Sequence, residues 1–170
     1  VASALQSTFQ EGLVEKRYIA FVRGAPDDEG TIDHPVPRDE GGPRVDAVTT
    51  YRRLSVREIP GTDRGGEGAR RFSLVSACPK TGRFHQIRRH LRHLGHPIIG
   101  DVNYGQGLYN RHFRERYGLG RLSLHAMSLA LPHPRSGLMM TWIAPFPDDL
   151  AGPLRAMGFD DEAWRAATLA

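Results

Sequence analysis

The sequence predicts an α+β fold, a mostly antiparallel mixed sheet with flanking helices and loops. Three features carry this prediction: short segments alternate apolar and polar residues between Gly- and Pro-rich turns, one strongly amphipathic helix interrupts them, and no segment repeats. With 170 residues, of which 39% are hydrophobic and 25% charged, residues 1–170 are expected to form a single domain. The apolar runs are far shorter than the roughly 20 residues that a membrane-spanning helix needs, so no membrane partner is expected.

The first part of the chain predicts a short helix and then strands. Residues 4–12 have the apolar spacing of a helix, and residues 16–24 alternate as a strand that stops at a glycine. Residues 25–47 contain four prolines and are typical of irregular connections around a short strand at 31–36.

Two longer strands follow, at residues 46–59 and 72–78. Between them, residues 60–71 have no side chains able to build a core, so we expect a mobile hairpin tip there. Together these segments indicate a long hairpin.

Residues 83–95 predict the amphipathic helix. Ile87, Leu91 and Leu94 lie on one side of a helical wheel, and arginines and histidines occupy the other side. Gly95 is typical of a helix end. The remaining elements are an extended piece at 97–101, a loop with one helical turn at 102–120, strands at 121–131 and 138–146, and helical character over 147–165.

The position of the charges is more informative than their sum. The chain has 23 Lys and Arg and 19 Asp and Glu, a net charge of +4. Residues 83–121 alone hold eight arginines and two acids, a net +6 that leaves −2 for the rest, and five histidines are interleaved there. Such concentration is typical of a polyanion binder, although a solvated arginine face balanced by acidic loops gives the same count.

The sequence gives little support for a metal site or a nucleophilic triad. Cys78 is the only cysteine, which excludes an internal disulfide and a cysteine-based zinc site and favours a reducing, cytoplasmic location. His90, His93 and His96 are spread around the helical wheel and lack the His pair and adjacent Glu of metalloprotease helices. We therefore expect no metal.

Anion binding is better supported by the residue pattern. Arg88 and Arg92 lie one helical turn apart, and such a pair could hold a phosphate, a carboxylate or both; the alternative is that both pair with surface acids. Asp101 lies in a turn, where an aspartate often bonds its own backbone, so a structural role is expected for it. His125, in an apolar strand, is interpreted as a hydrogen-bonded core histidine.

Three segments of the chain occur in an order found in one known family. Thr-Gly-Arg-Phe-His-Gln-Ile-Arg-Arg-His begins at Thr81 and continues through Pro-Ile-Ile-Gly-Asp to Tyr104. With residues 16–24 and 121–126, it resembles the third motif, the tyrosine-bearing strand and a later strand of the RluA-type RNA pseudouridine synthases. Residues 110–119 are similar to the subfamily called tRNA pseudouridine synthase C, which acts on uridine 65 in the T stem of tRNA.

The resemblance implies a pseudouridine synthase fold and the isomerisation of uridine in RNA, most closely tRNA, by a monomer without a metal or cofactor. An aspartate attacks the target uridine, the glycosidic bond breaks, and the uracil turns and is rejoined through carbon. Tyr18 matches the tyrosine that packs against the flipped base and helps to remove its C5 proton, and Arg88 matches the arginine that pairs with the aspartate. The residues expected to contact RNA are Arg83, His85, Gln86, Arg89 and Arg92.

The nucleophile of this family lies in an Arg-Leu-Asp segment that the sequence does not contain. The first residues resemble the helix that follows that segment, so we expect the chain to begin just downstream of the nucleophile and to be inactive alone; no acid of this sequence is nominated in its place. Two functions stay open: the larger part of a tRNA pseudouridine synthase, and a non-catalytic RNA-binding module derived from one. A metal-dependent hydrolase that uses the histidines is a weaker third.

Overall fold

The structure is a computed structural model that describes residues 8–9, 12–62 and 68–169. Its strands are β1 Glu15–Arg23, β2 Glu29–Asp33, β3 Val36–Pro37, β4 Arg44–Val45, β5 Val48–Pro60, β6 Ala69–Pro79, β7 Leu124–Pro132 and β8 Met139–Ile143. Its helices are α1 Gln86–His93, α2 Gly107–Tyr117, α3 Asp148–Ala156 and α4 Asp161–Leu169. Six strands form one sheet in the order β2-β5-β6-β1-β7-β8, and β3 pairs with β4; the pairings among the described strands are antiparallel. The predicted α+β class is confirmed.

The sheet is covered on both faces, and β1 lies near its middle. Successive side chains of a strand point to opposite faces, so Phe21 contributes to one hydrophobic cluster and Val22 to the other. On one face α2, α3 and α4 pack over an aromatic core in which the rings of Phe21, Phe72 and Phe113 meet edge to face or tilted. On the other face, α1 is the helix that the described residues place against the sheet.

Helix α1 is seated by apolar and polar contacts. Ile87 and Leu91 pack on the small residues of β1 and β6, as the helical wheel predicts. His90 is fully buried beneath the helix, where its ring nitrogens lie 2.9 Å from Thr49 Oγ1 and 2.9 Å from the His34 carbonyl oxygen. The helix begins at residue 86 rather than 83, because His85 adopts a left-handed backbone with φ of 52° that a helix cannot continue.

The prediction of a loop with one helical turn at 102–120 is wrong, because residues 107–117 form the three-turn helix α2. Tyr109 and Phe113 are four residues apart and both buried, so they supply the apolar stripe that holds the helix on the sheet. The segment has weak amphipathicity, a glycine at its start and no capping side chain, and only tertiary packing reveals it.

Smaller differences concern the ends of the elements. Strands β5 and β6 continue to the pair Pro60 and Ala69, so the hairpin tip is shorter than predicted, and the expected mobility falls on 63–67, outside the described residues. Most of the predicted helix at 4–12 also lies outside them. The C-terminal region forms two helices that break at Gly158, where φ is +83°. None of the described helices is long and apolar enough to cross a membrane.

Candidate RNA-binding and catalytic site

A cleft of about 230 Å³ opens where the start of β1, the end of β6 and the start of α1 meet. We call it the tyrosine cleft; the side chains that matter for its chemistry are Lys16, Tyr18, Arg83, His85, Gln86 and Arg88. Five of the seven site residues named from the sequence therefore meet in one place, although Tyr18 and Arg88 are far apart in the chain.

Tyr18 occupies the wall of this cleft that is formed by the sheet. It lies on β1 between Ala77 of β6 and Ala126 of β7. Beside it the register with β7 shifts, because Met127 is an extra residue between the partners of Arg17 and Tyr18. Such a bulge bends the strand locally and re-aims the neighbouring side chains. The ring of Tyr18 packs partly against the hydrophobic cluster under α1, so it is half-buried and faces the cleft.

Arg88 forms the best-defined ion pair of the cleft. Its Nε and Nη2 donate to the two carboxylate oxygens of Asp101 at 2.8 Å and 2.7 Å. The Asp101 side chain is fully buried and that of Arg88 is 13% exposed, so the pair is shielded from water. Nη1 of Arg88 donates no hydrogen bond to a described residue. The family resemblance predicts that Arg88 pairs with a catalytic aspartate; in this structure Arg88 pairs with Asp101, for which a structural role is expected.

Asp101 is charged because several donors surround it. Burial acts to raise its pKa, but the hydrogen bonds from Arg88 and from the backbone N–H groups of Tyr104 and Asn103 outweigh burial and lower the pKa below its usual value. Those N–H groups lie 2.9 Å and 3.0 Å from Oδ1, so the expectation that Asp101 bonds its own backbone is confirmed. The carboxylate fixes both Arg88 and the following turn.

His85 stands at the mouth of the cleft in a strained conformation. Among the described residues it is the one non-glycine with a positive φ. Its Nδ1 lies 3.2 Å from the Tyr104 hydroxyl, and its ring stacks on Phe84 at 3.9 Å between centroids. Burial, followed by repulsion from Arg88 and Arg89, lowers its pKa, which favours a neutral ring. Arg83 is half-buried beside it, with Nε 3.4 Å from the Asp46 carbonyl oxygen.

Gln86 lies in the cleft wall, but its amide is already used by the protein. Its Oε1 accepts hydrogen bonds from Thr81 Oγ1 and the Arg83 N–H, and its Nε2 donates to the Val48 carbonyl and to Thr49 Oγ1. Only 4% of the residue is exposed. Gln86 therefore ties the start of α1 to β5 and to the turn after β6, and its contact with RNA stays a prediction.

Arg89 and Arg92 lie outside the tyrosine cleft. They line a second cleft of about 340 Å³, the arginine cleft, together with His34, Val36, Arg44, His93 and Tyr104. The ring of Tyr104 joins the two sites, because the guanidinium carbons of Arg88 and Arg89 each lie 4.9 Å from its centroid. Arg88 and Arg92 lie one turn apart but line different clefts, and of the two alternatives left open for Arg88 the structure shows an ion pair with an acid, Asp101.

No group of three or more His, Cys, Asp or Glu side chains able to hold a metal ion occurs among the residues that the structure describes. His125 is half-buried in β7, with Nε2 3.5 Å from the Ala144 carbonyl oxygen and its ring edge-on to Phe146. This is the environment expected for a hydrogen-bonded histidine at the edge of the core.

Comparison with known sequences identifies the family. A sequence model described as RNA pseudouridylate synthase matches residues 1–93, more than half of the chain. The chain belongs to the RNA pseudouridylate synthase family. The matched stretch ends at the last residue of α1 and includes Tyr18, Arg88 and the other described side chains singled out in the tyrosine cleft.

Individual members of the RNA pseudouridylate synthase family cover most of the chain. The tRNA pseudouridine synthase C of Haemophilus ducreyi is 40% identical over 145 residues, which are 80% of this chain and 59% of that protein. That of Vibrio cholerae is 37% identical over 160 residues, 84% of this chain and 65% of that protein. The solved structure of human RNA Pseudouridylate Synthase Domain Containing 1 superimposes with a TM-score of 0.65 at 28% identity, covering 88% of this chain and 62% of that one. The chain thus spans about three fifths of the length of these relatives.

One charged residue of the tyrosine cleft was not named from the sequence. Lys16 lies in the tyrosine cleft with Nζ 3.3 Å from the Thr81 carbonyl oxygen, and burial, followed by repulsion from Arg83, lowers its pKa. The signal was present, because Lys16 and Tyr18 are two apart on a strand and so share a face. Tyr104 belongs to the motif recognised in the sequence, but the sequence did not predict that its ring would lie between the two clefts.

Proposed function

We propose that this chain forms the larger, RNA-facing part of an enzyme that converts uridine to pseudouridine in tRNA, at uridine 65 of the T stem. Family membership supports the isomerisation, and the names of the bacterial relatives support tRNA as the substrate. The nucleophilic aspartate is supplied by a segment outside this chain. The shared sheet, with a core on each of its faces, supports a single domain.

The observation that carries the proposal is the meeting of Tyr18 and Arg88 in one cleft, of which no described lining residue is a carboxylate. A base that leaves the helical stack needs an aromatic plane, and such stacking contributes about 1–3 kcal/mol per base. A nucleophilic aspartate in a shielded cleft needs a cation beside it to stay ionised. Tyr18 offers the plane and the phenol for the C5 proton, and Nη1 of Arg88 is the group left for the incoming carboxylate.

The reaction rearranges one nucleotide and consumes nothing else. The aspartate attacks C1′ and the N1–C1′ glycosidic bond breaks. The freed uracil turns, and its C5 bonds to C1′ as the aspartate–C1′ bond breaks, which restores the carboxylate. The proton on C5 is then lost and N1 takes up a proton. The hydroxyl of Tyr18 assists the loss of that proton, a step to which a positioned general base contributes about 10²–10⁴-fold. Arg83 and His85 hold RNA at the mouth of the cleft, and Arg89 and Arg92 hold it beyond Tyr104.

The loss of the C5 proton offers a direct assay. A tRNA transcript labelled with tritium at C5 of uridine should release one tritium per tRNA when incubated with the protein extended upstream through the Arg-Leu-Asp segment, and a transcript with cytidine at position 65 should release none. Tyr18→Phe keeps the ring and loses the hydroxyl, so we expect release to slow by at least about 100-fold. Tyr117→Phe, on α2 across the sheet, is the matched control and should release tritium at the normal rate.

Three outcomes separate the possibilities. Tritium release that Tyr18→Phe abolishes supports the proposal and the role of the tyrosine. Release from the transcript with cytidine at position 65 contradicts the choice of uridine. Tight, salt-dependent tRNA binding by the extended protein without any release contradicts catalysis and leaves the alternative, an RNA-binding module that keeps only the basic face.

A further inference from the structure

The arginine cleft is rich in positive charge. Three arginines line it, Arg44 from β4 and Arg89 and Arg92 from α1, and none of its described lining residues is a carboxylate. Elsewhere in the described chain, Arg53, Arg57, Arg88, Arg121, Arg155 and Arg165 each form an ion pair with an aspartate. Among the described residues no carboxylate forms an ion pair with these three arginines, and an anion from outside would complement their charge.

Arg89 carries the strongest sign of a missing partner. Its Nε is buried and has no hydrogen-bond partner among the described residues, and its guanidinium carbon lies 4.9 Å from the ring centroid of Tyr104 and 5.7 Å from that of Phe84. Aromatic faces hold a guanidinium in place without satisfying its N–H groups. The planar fork of Arg89 is thus oriented with its donors free, which is the geometry that suits a phosphate.

Arg44 is fixed on the opposite wall. One nitrogen of its guanidinium, Nη2, donates to the Pro35 carbonyl oxygen at 2.6 Å and to His34 Nε2 at 2.8 Å. His34 stacks on His93 with ring centroids 3.7 Å apart and ring planes 12° from parallel. A stacked ring that accepts a hydrogen bond acts as a rigid support, so Arg44 reaches the cleft from the β3–β4 pair while its other nitrogens bond no described residue.

We propose that the arginine cleft is a preformed site for one phosphate of the RNA backbone, next to the nucleotide whose base enters the tyrosine cleft. Arg44, Arg89 and Arg92 donate to its oxygens, and the His34–His93 stack orients Arg44. This inference rests on the proposed function, because the RNA connects the two clefts across Tyr104. In this proposal Arg44 binds the phosphate, and His34 and His93 support Arg44. Arg89 and Arg92 bind the same phosphate instead of contacting RNA independently.

RNA binding at a series of salt concentrations tests the proposal. A protein loses about 0.9 from the slope of log affinity against log salt for each duplex phosphate that it no longer neutralises. For the upstream-extended protein and an unlabelled tRNA transcript, the Arg44→Gln/Arg92→Gln variant should bind at least about 10-fold more weakly, with a slope shallower by about one. Inorganic phosphate should compete with the wild-type RNA complex and not with the variant's residual binding.

Matched variants exclude loss of folding and a general charge effect. Arg165→Gln removes a charge from an exposed arginine on α4, across the sheet, and should keep both the affinity and the slope. Arg44→Lys/Arg92→Lys keeps the charge without the fork and should recover part of the affinity. All variants should show the wild-type unfolding midpoint in urea.

The tritium-release assay separates failure of this inference from failure of the proposed function. A phosphate contact next to the reacting nucleotide predicts a KM raised about 10-fold with kcat within about twofold for Arg44→Gln/Arg92→Gln. Unchanged KM, affinity and salt slope in that folded variant overturn the phosphate site while leaving the isomerisation intact. Absence of tritium release from the wild-type protein overturns the proposed function, and the binding experiment then still decides whether the cleft holds a phosphate.

Discussion

Arg88 and Arg89 are neighbours in the chain and approach the same tyrosine ring, yet their surroundings differ. Arg88 gives two nitrogens to a fully buried aspartate, whereas Arg89 has a buried Nε with no partner among the described residues. In the tyrosine cleft the charge of Arg88 is neutralised by Asp101. In the arginine cleft no described carboxylate neutralises the arginines. Two adjacent basic residues can therefore have different roles: one fixes the geometry of the site, and the other stays available to a polyanion.

Removing Arg88 tests whether its ion pair with Asp101 stabilises the fold. Arg88→Ala leaves the Asp101 carboxylate buried without its counter-charge, so we expect the free energy of unfolding to fall by about 3–5 kcal/mol, measured by urea denaturation. The double variant Arg88→Ala/Asp101→Ala removes both charges and should recover part of that loss. A decrease below about 1 kcal/mol in the single variant would show that the pair is not a structural requirement.

Gln86 tests whether a residue in the cleft wall supports the fold. Gln86→Ala removes a buried amide that joins α1 to β5 through hydrogen bonds to the Val48 carbonyl and to Thr49 Oγ1, so unfolding should become easier by about 1–3 kcal/mol. The exposed Gln106→Ala is the control, with an expected change within about 0.5 kcal/mol. Equal effects of the two substitutions in urea denaturation would contradict the positioning role.

Histidines around α1 predict a pH dependence of stability. Burial lowers the folded-state pKa of His90, despite the hydrogen bond to His34, and also that of His34 and His85. Below the ordinary histidine pKa of about 6.5 the unfolded chain then binds more protons than the folded one, so stability falls as pH decreases from 7 to 5.5. Each such proton contributes up to about 1.4 kcal/mol per pH unit.

The variant His90→Gln measures how much of the pH dependence of stability comes from the buried imidazole of His90. Urea denaturation at pH 7.5, 6.5 and 5.5 should give a flatter profile for His90→Gln than for the wild type. His133→Gln, in the turn between β7 and β8, should follow the wild type. A His90→Gln profile parallel to the wild-type one would assign the pH dependence to other groups.

The smallest expected effect sharpens the contrast with Arg88. Arg89→Met keeps the apolar part of the side chain and removes a guanidinium that has no hydrogen-bond partner among the described residues, so the free energy of unfolding should change by no more than about 1 kcal/mol. The same variant should weaken tRNA binding severalfold. A large loss of stability in Arg89→Met would mean that this arginine serves the fold after all.

The sequence predicts the strands and α1 well because their patterns are strong. The alternation in β1 and the aliphatic stripe of Ile87 and Leu91 survive in the structure, since burying those faces is what stabilises the elements. Helix α2 escapes prediction because its stability comes from Tyr109 and Phe113 packing on a sheet formed by distant residues. The start of α1 shifts because the left-handed backbone of His85 has no signature in the sequence.

The amino-acid sequence was enough to identify the family, the motif order and the concentration of positive charge between residues 83 and 121. The surroundings of each charge depend on the three-dimensional fold. The fold places Asp101 against Arg88, buries Gln86 in the wall of the tyrosine cleft, and adds Arg44 from the β3–β4 pair to the arginine cleft, where no described lining residue is acidic. The reason is physical: a motif fixes which side chains are present, whereas the partner that neutralises, buries or frees each one comes from elsewhere in the chain.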